Sequence, residues 1–340
     1  MILLTSPAAP DSVHGNGVTA RRWADILGEL GHRVRMSQGY PDDGAEYTAL
    51  VALHAKKSAD AVRRFRARQP DAPVVIALTG TDLYPDLRST GVDPAVLATA
   101  DRLVVLQRTG LAQLEPALRA RARVIIQSVP PIPARPPGRW RETPPPGRWS
   151  ETRPRSTGTF DVALLAHLRE VKDPLLVAAA ARLLPASSTV RVRHLGAAMD
   201  EAIAAEAKAE SAGNPRYEWL GPRPRDEALA LLARSHLLVL TSRHEGGANV
   251  VSEALAAGVP VISSHIPGSI GLLGEDYPGY FPVGDASALA GALDAAEHDR
   301  DGYYDVLRNR CAALRAIVEP ARERQSWADL LTELGLPVTR

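Results

Sequence analysis

Residues 243–264 read RHEGGANVVSEALAAGVPVISS: a glycine loop, a short apolar helix and a β-rich run. The residues just before them, Leu237–Thr241, predict a buried strand, and Asn249–Ala257 predict the helix. Strands joined through helices build a parallel α/β sheet, and ligands bind at the carboxyl edge of such a sheet. The stretch therefore predicts both a fold class and the edge where a site would lie.

The same alternation of strands and helices runs through the chain in two series. Apolar runs occur at 1–6, 49–54, 74–78, 102–107 and 123–128, and again at 160–168, 189–196, 236–242 and 259–264. Nearly continuous apolar strands indicate parallel sheets covered on both faces, and two series indicate two Rossmann-like domains. Neither series contains G-x-G-x-x-G, which argues against ordinary NAD binding.

A break rich in proline and arginine separates the two series. Within it PPGRWRET (136–143) is repeated as PPGRWSET (145–152), which we interpret as a duplicated, extended linker. The predicted boundaries are 1–129 for an N-terminal Rossmann-like domain, 130–158 for the linker insert, 159–310 for a C-terminal Rossmann-like domain and 311–340 for terminal helices.

Composition argues against several classes of protein. The 340 residues carry a formal charge of +1, which gives no sign of binding to nucleic acid or to a membrane surface. The single cysteine, Cys311, cannot form an internal disulfide, which suits a reducing compartment. No apolar stretch is long enough to span a bilayer, and the N-terminal residues lack the basic region of a signal peptide. We therefore expect a cytoplasmic protein.

Two carboxylates, Glu245 and Glu253, frame the predicted glycine loop. Glycines let a loop approach a ligand closely, and the amides of a first helical turn suit an anionic phosphate. Carboxylates suit the hydroxyls of a sugar instead, so the combination suggests a sugar nucleotide. The alternative is that Glu245 is a solvated loop residue and Glu253 a surface helix residue.

The segment SRHEGGANVVSEALAAGVPVI (242–262) resembles the E-x7-E region of retaining GT-B glycosyltransferases, the large family that includes bacterial sucrose and glycogen synthases. The resemblance implies a GT-B fold: α/β, two Rossmann-like domains facing across a cleft, and terminal helices packed back on the N-terminal domain. It implies that Glu245 is catalytic, near the donor sugar, and that Glu253 binds the ribose. It also places Gly246, Gly247, Ala248 and Asn249 against the sugar and diphosphate.

A second segment of that family holds the diphosphate with an arginine and a lysine. Here it reads AHLREVKDP (166–174), in which Lys172 matches the lysine. His167 occupies the arginine position and Arg169 lies two residues on, so either could replace it, and a bound anion would favour a protonated histidine. Pro267 and Gly268 are expected to shape a further loop facing the donor.

A narrower resemblance rests on six segments in order. They are GNGVTARRWADIL (15–27), LHAKKSA (53–59), LTGTDLY (78–84), LVVLQ (103–107), AHLREVKDP (166–174) and IPGSIGLLGEDYPGYFPVGD (266–285). Together they look like the selenosugar synthase family of selenoneine biosynthesis; the duplicated insert departs from it in a linker. The resemblance implies a glycosyltransferase that joins a UDP-sugar, typically UDP-N-acetylglucosamine, to selenophosphate through a carbon–selenium bond. It also implies partners among the enzymes of that pathway.

A selenophosphate acceptor is an anion, so its site needs cations or helix amides more than a strong general base. The candidates follow strands of the first series: Gly15, Asn16, Gly17, Arg21, Arg22, His54, Lys56, Lys57, Thr81 and Asp82. Structural alternatives are exposed helix positions for the cations, a simple turn for the glycines, a structural histidine and an N-cap for Asp82. Gln107 and Gln127 could merely cap the sheet.

Histidines and the cysteine are not clustered with ligand spacing, so we expect no metal, and no cofactor beside the UDP-sugar substrate. Two other functions stay open: another GT-B enzyme, either a transferase with an alcohol acceptor or a sugar-nucleotide epimerase, and a non-catalytic sugar-nucleotide-binding protein. A lipid acceptor would favour a basic, aromatic surface, for which only RRFRAR (63–68) is a candidate. A non-catalytic relative is expected to lack Lys172 or a motif glutamate, and all three are present.

Overall fold

The computed structural model describes residues 1–9, 15–130, 132 and 158–339, and the chain divides into two compact units. The first unit comprises Met1–Ser128, His244–Asn249 and Pro320–Arg340, and the second comprises Val129–Arg243 and Val250–Glu319. The repeated segments of the predicted linker lie outside the described residues. The predicted terminal segment, 311–340, does not stay together, because its first nine residues belong to the second unit.

The first unit contains a six-stranded parallel sheet of order β2-β1-β3-β4-β5-β6. Its strands are β1 (Ile2–Thr5), β2 (Val34–Ser37), β3 (Ala49–Leu53), β4 (Val74–Leu78), β5 (Arg102–Val105) and β6 (Ala122–Val124). Its first helices are α1 (Gly15–Glu29), α2 (Ala59–Arg68), α3 (Pro94–Ala98) and α4 (Pro116–Ala120). Every residue of β3 and β4 is buried, as expected for a parallel sheet covered on both faces.

The second unit contains another six-stranded parallel sheet, of order β12-β11-β10-β7-β8-β9. Its strands are β7 (Phe160–Leu165), β8 (Val190–Leu195), β9 (Tyr217–Trp219), β10 (Leu237–Leu240), β11 (Val261–Ser264) and β12 (Tyr280–Phe281). Its helices are α5 (Leu176–Leu183), α6 (Glu201–Gly213), α7 (Arg225–Arg234), α8 (Asn249–Ala257), α9 (Pro267–Leu273), α10 (Ala286–Glu297) and α11 (Tyr303–Leu314). The predicted pair of Rossmann-like α/β folds is confirmed.

The last helix, α12 (Pro320–Glu333), completes the first unit. Trp327 lies in one core with Trp23 of α1 and with Ile2 and Val51 of the sheet. The two indole rings meet edge to face, with centroids 4.8 Å apart. Two elements far apart in sequence thus cover one face of the first sheet together.

Three of the four edge strands were missed: β2, β9 and β12, whereas β6 overlaps a predicted apolar run. The missed strands are two to four residues long and only partly buried, since an edge strand needs less apolar surface. The start of α1 was also misplaced, because Gly15–Gly17 form its first turn and not a preceding loop.

The segment RRFRAR lies in α2 and is not the basic, aromatic surface that a lipid acceptor would favour. Phe65 is fully buried in the core. Arg63 pairs with Asp93, Arg64 with Asp42 and Arg66 with Asp101. Separately, among the described residues no helix is both long and apolar enough to cross a membrane.

Candidate functional site

The Gly-Gly pair at the carboxyl end of β10 belongs to the first unit, where it contacts the main chain. A Cβ on Gly246 would lie 2.3 Å from the carbonyl oxygen of Thr79, and one on Gly247 would lie 2.6 Å from the Cβ of Leu106. No side chain fits at such distances. The glycines were predicted to admit a ligand, but the structure gives a different reason for them, which is close packing against β4 and β5.

The same loop is held from a second direction by Gln127. The amide is oriented so that its oxygen and its nitrogen both have hydrogen-bond partners. In this orientation the nitrogen donates to the carbonyl of Gly247 and to Oδ1 of Asn249, both at 3.0 Å. The oxygen accepts from the hydroxyl of Thr19 and from Arg22 Nη2 on α1. The Asn249 side chain also lies beside Gly15, the first residue of α1. Gln127 therefore ties the loop to this helix.

Lys172 lies in the loop after β7, and the main chain of this loop is bonded to the loop after β10. The N–H of Arg243 donates to the carbonyl of Val171, and the hydroxyl of Thr241 donates to the carbonyl of Lys172, both at 2.8 Å. Asp173, left-handed at φ 44°, pairs with Arg243 at 3.1 Å. The carbonyls of Val171 and Lys172 thus hold the loop, and the side chain of Lys172 is half-buried.

The start of that loop is fixed by His194 and Gly196 of the neighbouring strand and its loop. A Cβ on Gly196 would lie 1.8 Å from the carbonyl oxygen of Ala166. His194 Nε2 lies 2.8 Å from the same oxygen, and its Nδ1 lies 2.6 Å from the hydroxyl of Tyr217. Burial lowers the pKa of His194 to about 4, so the ring is neutral. Because a carbonyl only accepts, the proton is on Nε2, and Nδ1 accepts from Tyr217.

His167 has its tautomer set by the main chain. Its Nδ1 accepts from the N–H of Ala197 at 3.0 Å, which leaves Nε2–H as the donor of a neutral ring. The expected imidazolium would lose this hydrogen bond, so the geometry favours the neutral ring. Arg169, the other candidate, is exposed at the start of the short 3-10 turn Glu170–Lys172.

Glu253 lies in α8 and is buried, with 6% of its surface exposed, so the surface-residue alternative is wrong. Its Oε1 lies 2.7 Å from Arg225 Nη2 at the first residue of α7. An arginine at this distance favours the ionised carboxylate, which only accepts hydrogen bonds. Sequence analysis missed Arg225, whose only signal was its place after Pro224 at a helix start. Glu245 is half-buried in the loop, and Ala248 is buried.

Asp82 organises two loops of the first unit. It is fully buried and accepts from the backbone amides of Ala55, Thr79 and Gly80 at 2.8–2.9 Å. Its Oδ2 lies 3.7 Å from Nδ1 of His54, a buried residue in the left-handed region at φ 68°. Burial lowers the pKa of His54, although the charge of Asp82 opposes the shift. A carboxylate with no exposed surface does not contact an acceptor directly, which corrects the prediction for Asp82.

The other acceptor candidates differ in the hydrogen bonds that their side chains make within the protein. Thr81 is exposed and lies 3.0 Å from Nε2 of His54 through its hydroxyl. Lys56 and Lys57 are both exposed, and the ammonium of Lys56 donates to the carbonyl of Thr90 at 2.9 Å.

The remaining candidates lie on α1 and α9. Arg21 is half-buried in α1, whereas Arg22 pairs with the buried carboxylate of Glu323 at 2.9 Å. Gly268 is buried in the first turn of α9. Of the acceptor candidates, four residues are exposed: Gly15, Lys56, Lys57 and Thr81.

Comparison with known proteins identifies the architecture. Residues 148–313 match the family model described as glycosyl transferases group 1. HepE of Anabaena, solved in complex with UDP, superposes with a TM-score of 0.72 at 16% identity, covering 98% of this chain and 99% of that chain. Sucrose-phosphate synthase from Thermosynechococcus elongatus has a TM-score of 0.72 at 15% identity, covering 98% of both chains.

A third similar structure is the UDP-forming α,α-trehalose-phosphate synthase from Burkholderia vietnamiensis. Its TM-score is 0.66 at 12% identity, covering 84% of this chain and 74% of that chain. No curated protein sequence matches the chain. The protein therefore has the GT-B fold of these structures, and its residues 148–313 are similar to glycosyl transferases group 1.

Proposed function

We propose that the protein is a glycosyltransferase that moves a sugar, most simply N-acetylglucosamine, from its UDP conjugate to selenophosphate. The observation that carries the donor half is the E-x7-E stretch: it lies within the residues that match the group 1 model, and its second glutamate is buried and paired with Arg225. HepE, which has the same fold, has been solved with UDP and with UDP-glucose.

The donor half can recognise each part of a nucleotide sugar. Glu253, held ionised by Arg225, would accept hydrogen bonds from the ribose hydroxyls. Lys172, with His167 or Arg169, would neutralise the diphosphate, and the first turn of α8 adds amides suited to the same charge. Glu245 would face the sugar. Stabilising the departing diphosphate lowers the barrier to breaking its bond to the anomeric carbon.

The transfer step needs little acid–base chemistry. The anionic selenium attacks the anomeric carbon, a carbon–selenium bond forms, and the carbon–oxygen bond to UDP breaks. UDP leaves with that electron pair, and no alcohol has to be deprotonated. The acceptor half would instead supply positive charge from Lys57 and Arg21 and amides from the first turn of α1.

Selenophosphate is favoured over an alcohol by the resemblance of six segments, spread over both units, to selenosugar synthases. The structure adds an argument against a lipid-linked alcohol, because the arginines of α2 are ion-paired and Phe65 is buried. A soluble alcohol acceptor is the remaining competitor, and it is best distinguished by product analysis.

The test is to incubate the protein with UDP-N-acetylglucosamine and selenophosphate and to analyse the products by mass spectrometry. We expect UDP and a sugar bearing the isotope pattern of selenium. Glu253→Gln should lose the product, whereas Glu275→Gln, at an exposed position, should keep it. UDP release that requires an alcohol would contradict the acceptor, and failure to bind any UDP-sugar would contradict the donor.

A further inference from the structure

Two buried glutamines, Gln107 and Gln127, follow strands of the first sheet but bond to different parts of the chain. Gln107 accepts from Thr109 and from the N–H of Gly110 and donates to the hydroxyl of Tyr84, so it stabilises its own turn. Gln127, with 3% of its surface exposed, bonds across sequence to α1 and to the loop before α8. Only Gln127 reaches the E-x7-E segment.

Gln127 controls the orientation of one peptide group. Its amide nitrogen donates to the carbonyl of Gly247 at 3.0 Å. In a planar trans peptide the next N–H points opposite to that carbonyl, so the N–H of Ala248 faces away from Gln127. Gly247 has no side chain to restrict rotation of this peptide, and a glycine readily permits the flipped orientation. The hydrogen bond from Gln127 therefore selects between two directions for this N–H.

Asn249 is fixed by the same amide group. Its Oδ1 accepts from Gln127 at 3.0 Å, and its Nδ2 lies near Gly15. The side chain at the first position of α8 is thus held in place. One glutamine holds both the peptide between Gly247 and Ala248 and the side chain of Asn249.

We propose that Gln127 is a positioning residue for donor binding: it fixes the peptide between Gly247 and Ala248, and the side chain of Asn249, in the orientation that receives the sugar diphosphate. What this loop binds rests on the proposed function. The ordering of the loop by Gln127 rests only on its hydrogen bonds to Gly247 and Asn249.

Gln127 is itself held in place through Arg22. The Nη2 of Arg22 donates to the Gln127 oxygen at 3.1 Å, and its Nε lies 2.9 Å from Glu323 of α12. Glu323 also accepts from Trp23 Nε1 and from the N–H of Ser128. The amide of Gln127 cannot rotate without losing the charged partner at its oxygen, so its nitrogen is kept facing the loop.

Hydrogen–deuterium exchange tests the ordering directly, without any substrate. Gln127→Met removes the donor at nearly constant volume, and Gln107→Met is the matched control at an equally buried strand end. We expect exchange of the amides at 244–249 to be about tenfold faster in the first variant, as loss of one buried hydrogen bond implies, and unchanged in the second. Equal exchange in the two variants would overturn the proposal.

A third variant distinguishes two roles of Gln127: positioning the loop before α8, and stabilising α1 through Thr19 and Arg22. Gln127→Glu keeps an oxygen for Thr19 and Arg22 but presents an acceptor to the two loop oxygens. We expect both Gln127 variants to weaken UDP-sugar binding about ten- to a hundredfold by calorimetry, with melting temperatures close to that of Gln107→Met. If Gln127→Glu bound UDP-sugar like the wild type, the role would lie with α1 and the inference would fail. Faster exchange in a protein that binds no UDP-sugar would instead refute the proposed function and leave the ordering role standing.

Discussion

The carboxyl edges of the two sheets use their polar residues in opposite ways. On the first edge, Asp82 is fully buried and Glu323 nearly so, and their oxygens accept from backbone amides and neighbouring side chains. On the second edge, main-chain bonds shape the loop after β7, while the side chains of His167 and Lys172 keep exposed surface. The loops of the first edge depend on buried carboxylates, whereas the loop after β7 is held mostly through its own carbonyl groups.

A charged residue at a strand end can therefore either shape its loop or remain available to a ligand. Such a residue contacts a ligand only if something else holds the loop in shape. Lys172 meets that condition, because its carbonyl and that of Val171 carry the loop bonds. Asp82 and Arg22 do not, because the loops and helices around them depend on their side chains. Substitutions on the two edges should therefore separate stability from binding.

The largest effect is expected from Glu323→Ala on the first edge. Removing this buried carboxylate leaves the Arg22 guanidinium and the Trp23 and Ser128 donors without their acceptor. Breaking a buried ion pair from one side costs about 3–5 kcal/mol. Urea unfolding followed by tryptophan fluorescence should show that loss, since Trp23 and Trp327 lie in the same unit.

Glu333→Ala is the matched control on the same helix. Glu333 pairs with Arg102 and Arg123 but is one-third exposed, so its loss should cost at most about 1 kcal/mol. Equal destabilisation by the two variants would mean that the first edge does not depend on its buried carboxylate.

A pH-dependent effect of similar size is expected on the second edge, from His194. Its folded pKa is lowered to about 4 from the ordinary 6.5, so the unfolded chain binds a proton more readily. The stabilisation is complete above pH 6.5 and is lost as pH falls toward 4. The shift corresponds to roughly 3 kcal/mol. Urea midpoints at pH 7 and pH 4.5 should differ, and His194→Gln should reduce the difference, whereas exposed His265→Gln should not.

The next effect concerns the binding of UDP by a side chain of the second edge. Lys172→Ala should weaken UDP affinity about ten- to a hundredfold, as the loss of one charge-assisted hydrogen bond implies. Its unfolding midpoint should stay near the wild-type value, because the loop is held by the main chain. Isothermal calorimetry and urea unfolding on the same preparation measure both quantities.

Glu253 requires a more conservative substitution than Lys172. Because it is buried beside Arg225, Glu253→Ala would leave an arginine without its partner, so Glu253→Gln is the informative variant. It should weaken UDP binding to a similar degree. Unchanged UDP affinity in both variants would remove the proposed distinction between the two edges.

The sequence predicted the parallel sheets well because buried strands are nearly continuous apolar runs, as β3, β4 and β10 show. It located α8 at its observed bounds for a related reason, since glycine and proline end the helix. Three edge strands, β2, β9 and β12, were missed because they bury less surface and so leave a weaker pattern.

Contacts between distant residues could not be predicted in this way. Glu323 lies 300 residues from Trp23 in the sequence, and Gln127 lies 120 positions before Gly247 in the printed chain. Nothing in the local pattern shows which charged or amide groups will be buried by such pairings. Gly246 and Gly247 were singled out, but their packing against Thr79 and Leu106 depends on where β4 and β5 lie.

The smallest expected effect distinguishes two neighbouring lysines on the first edge. Both follow β3 and both are exposed, but the ammonium of Lys56 donates to the carbonyl of Thr90. Lys57→Ala should therefore raise the KM for selenophosphate by about three- to fivefold, the size of an exposed charge contact, and leave the KM for the UDP-sugar unchanged. Lys56→Ala should change neither KM, because its ammonium is already engaged by the main chain.

Steady-state kinetics with each substrate varied in turn measures both KM values, and added salt should reduce the effect of Lys57→Ala. If the two variants behaved alike, the acceptor charge would have to be met elsewhere on this edge, with Arg21 and the first turn of α1 as the next positions to test.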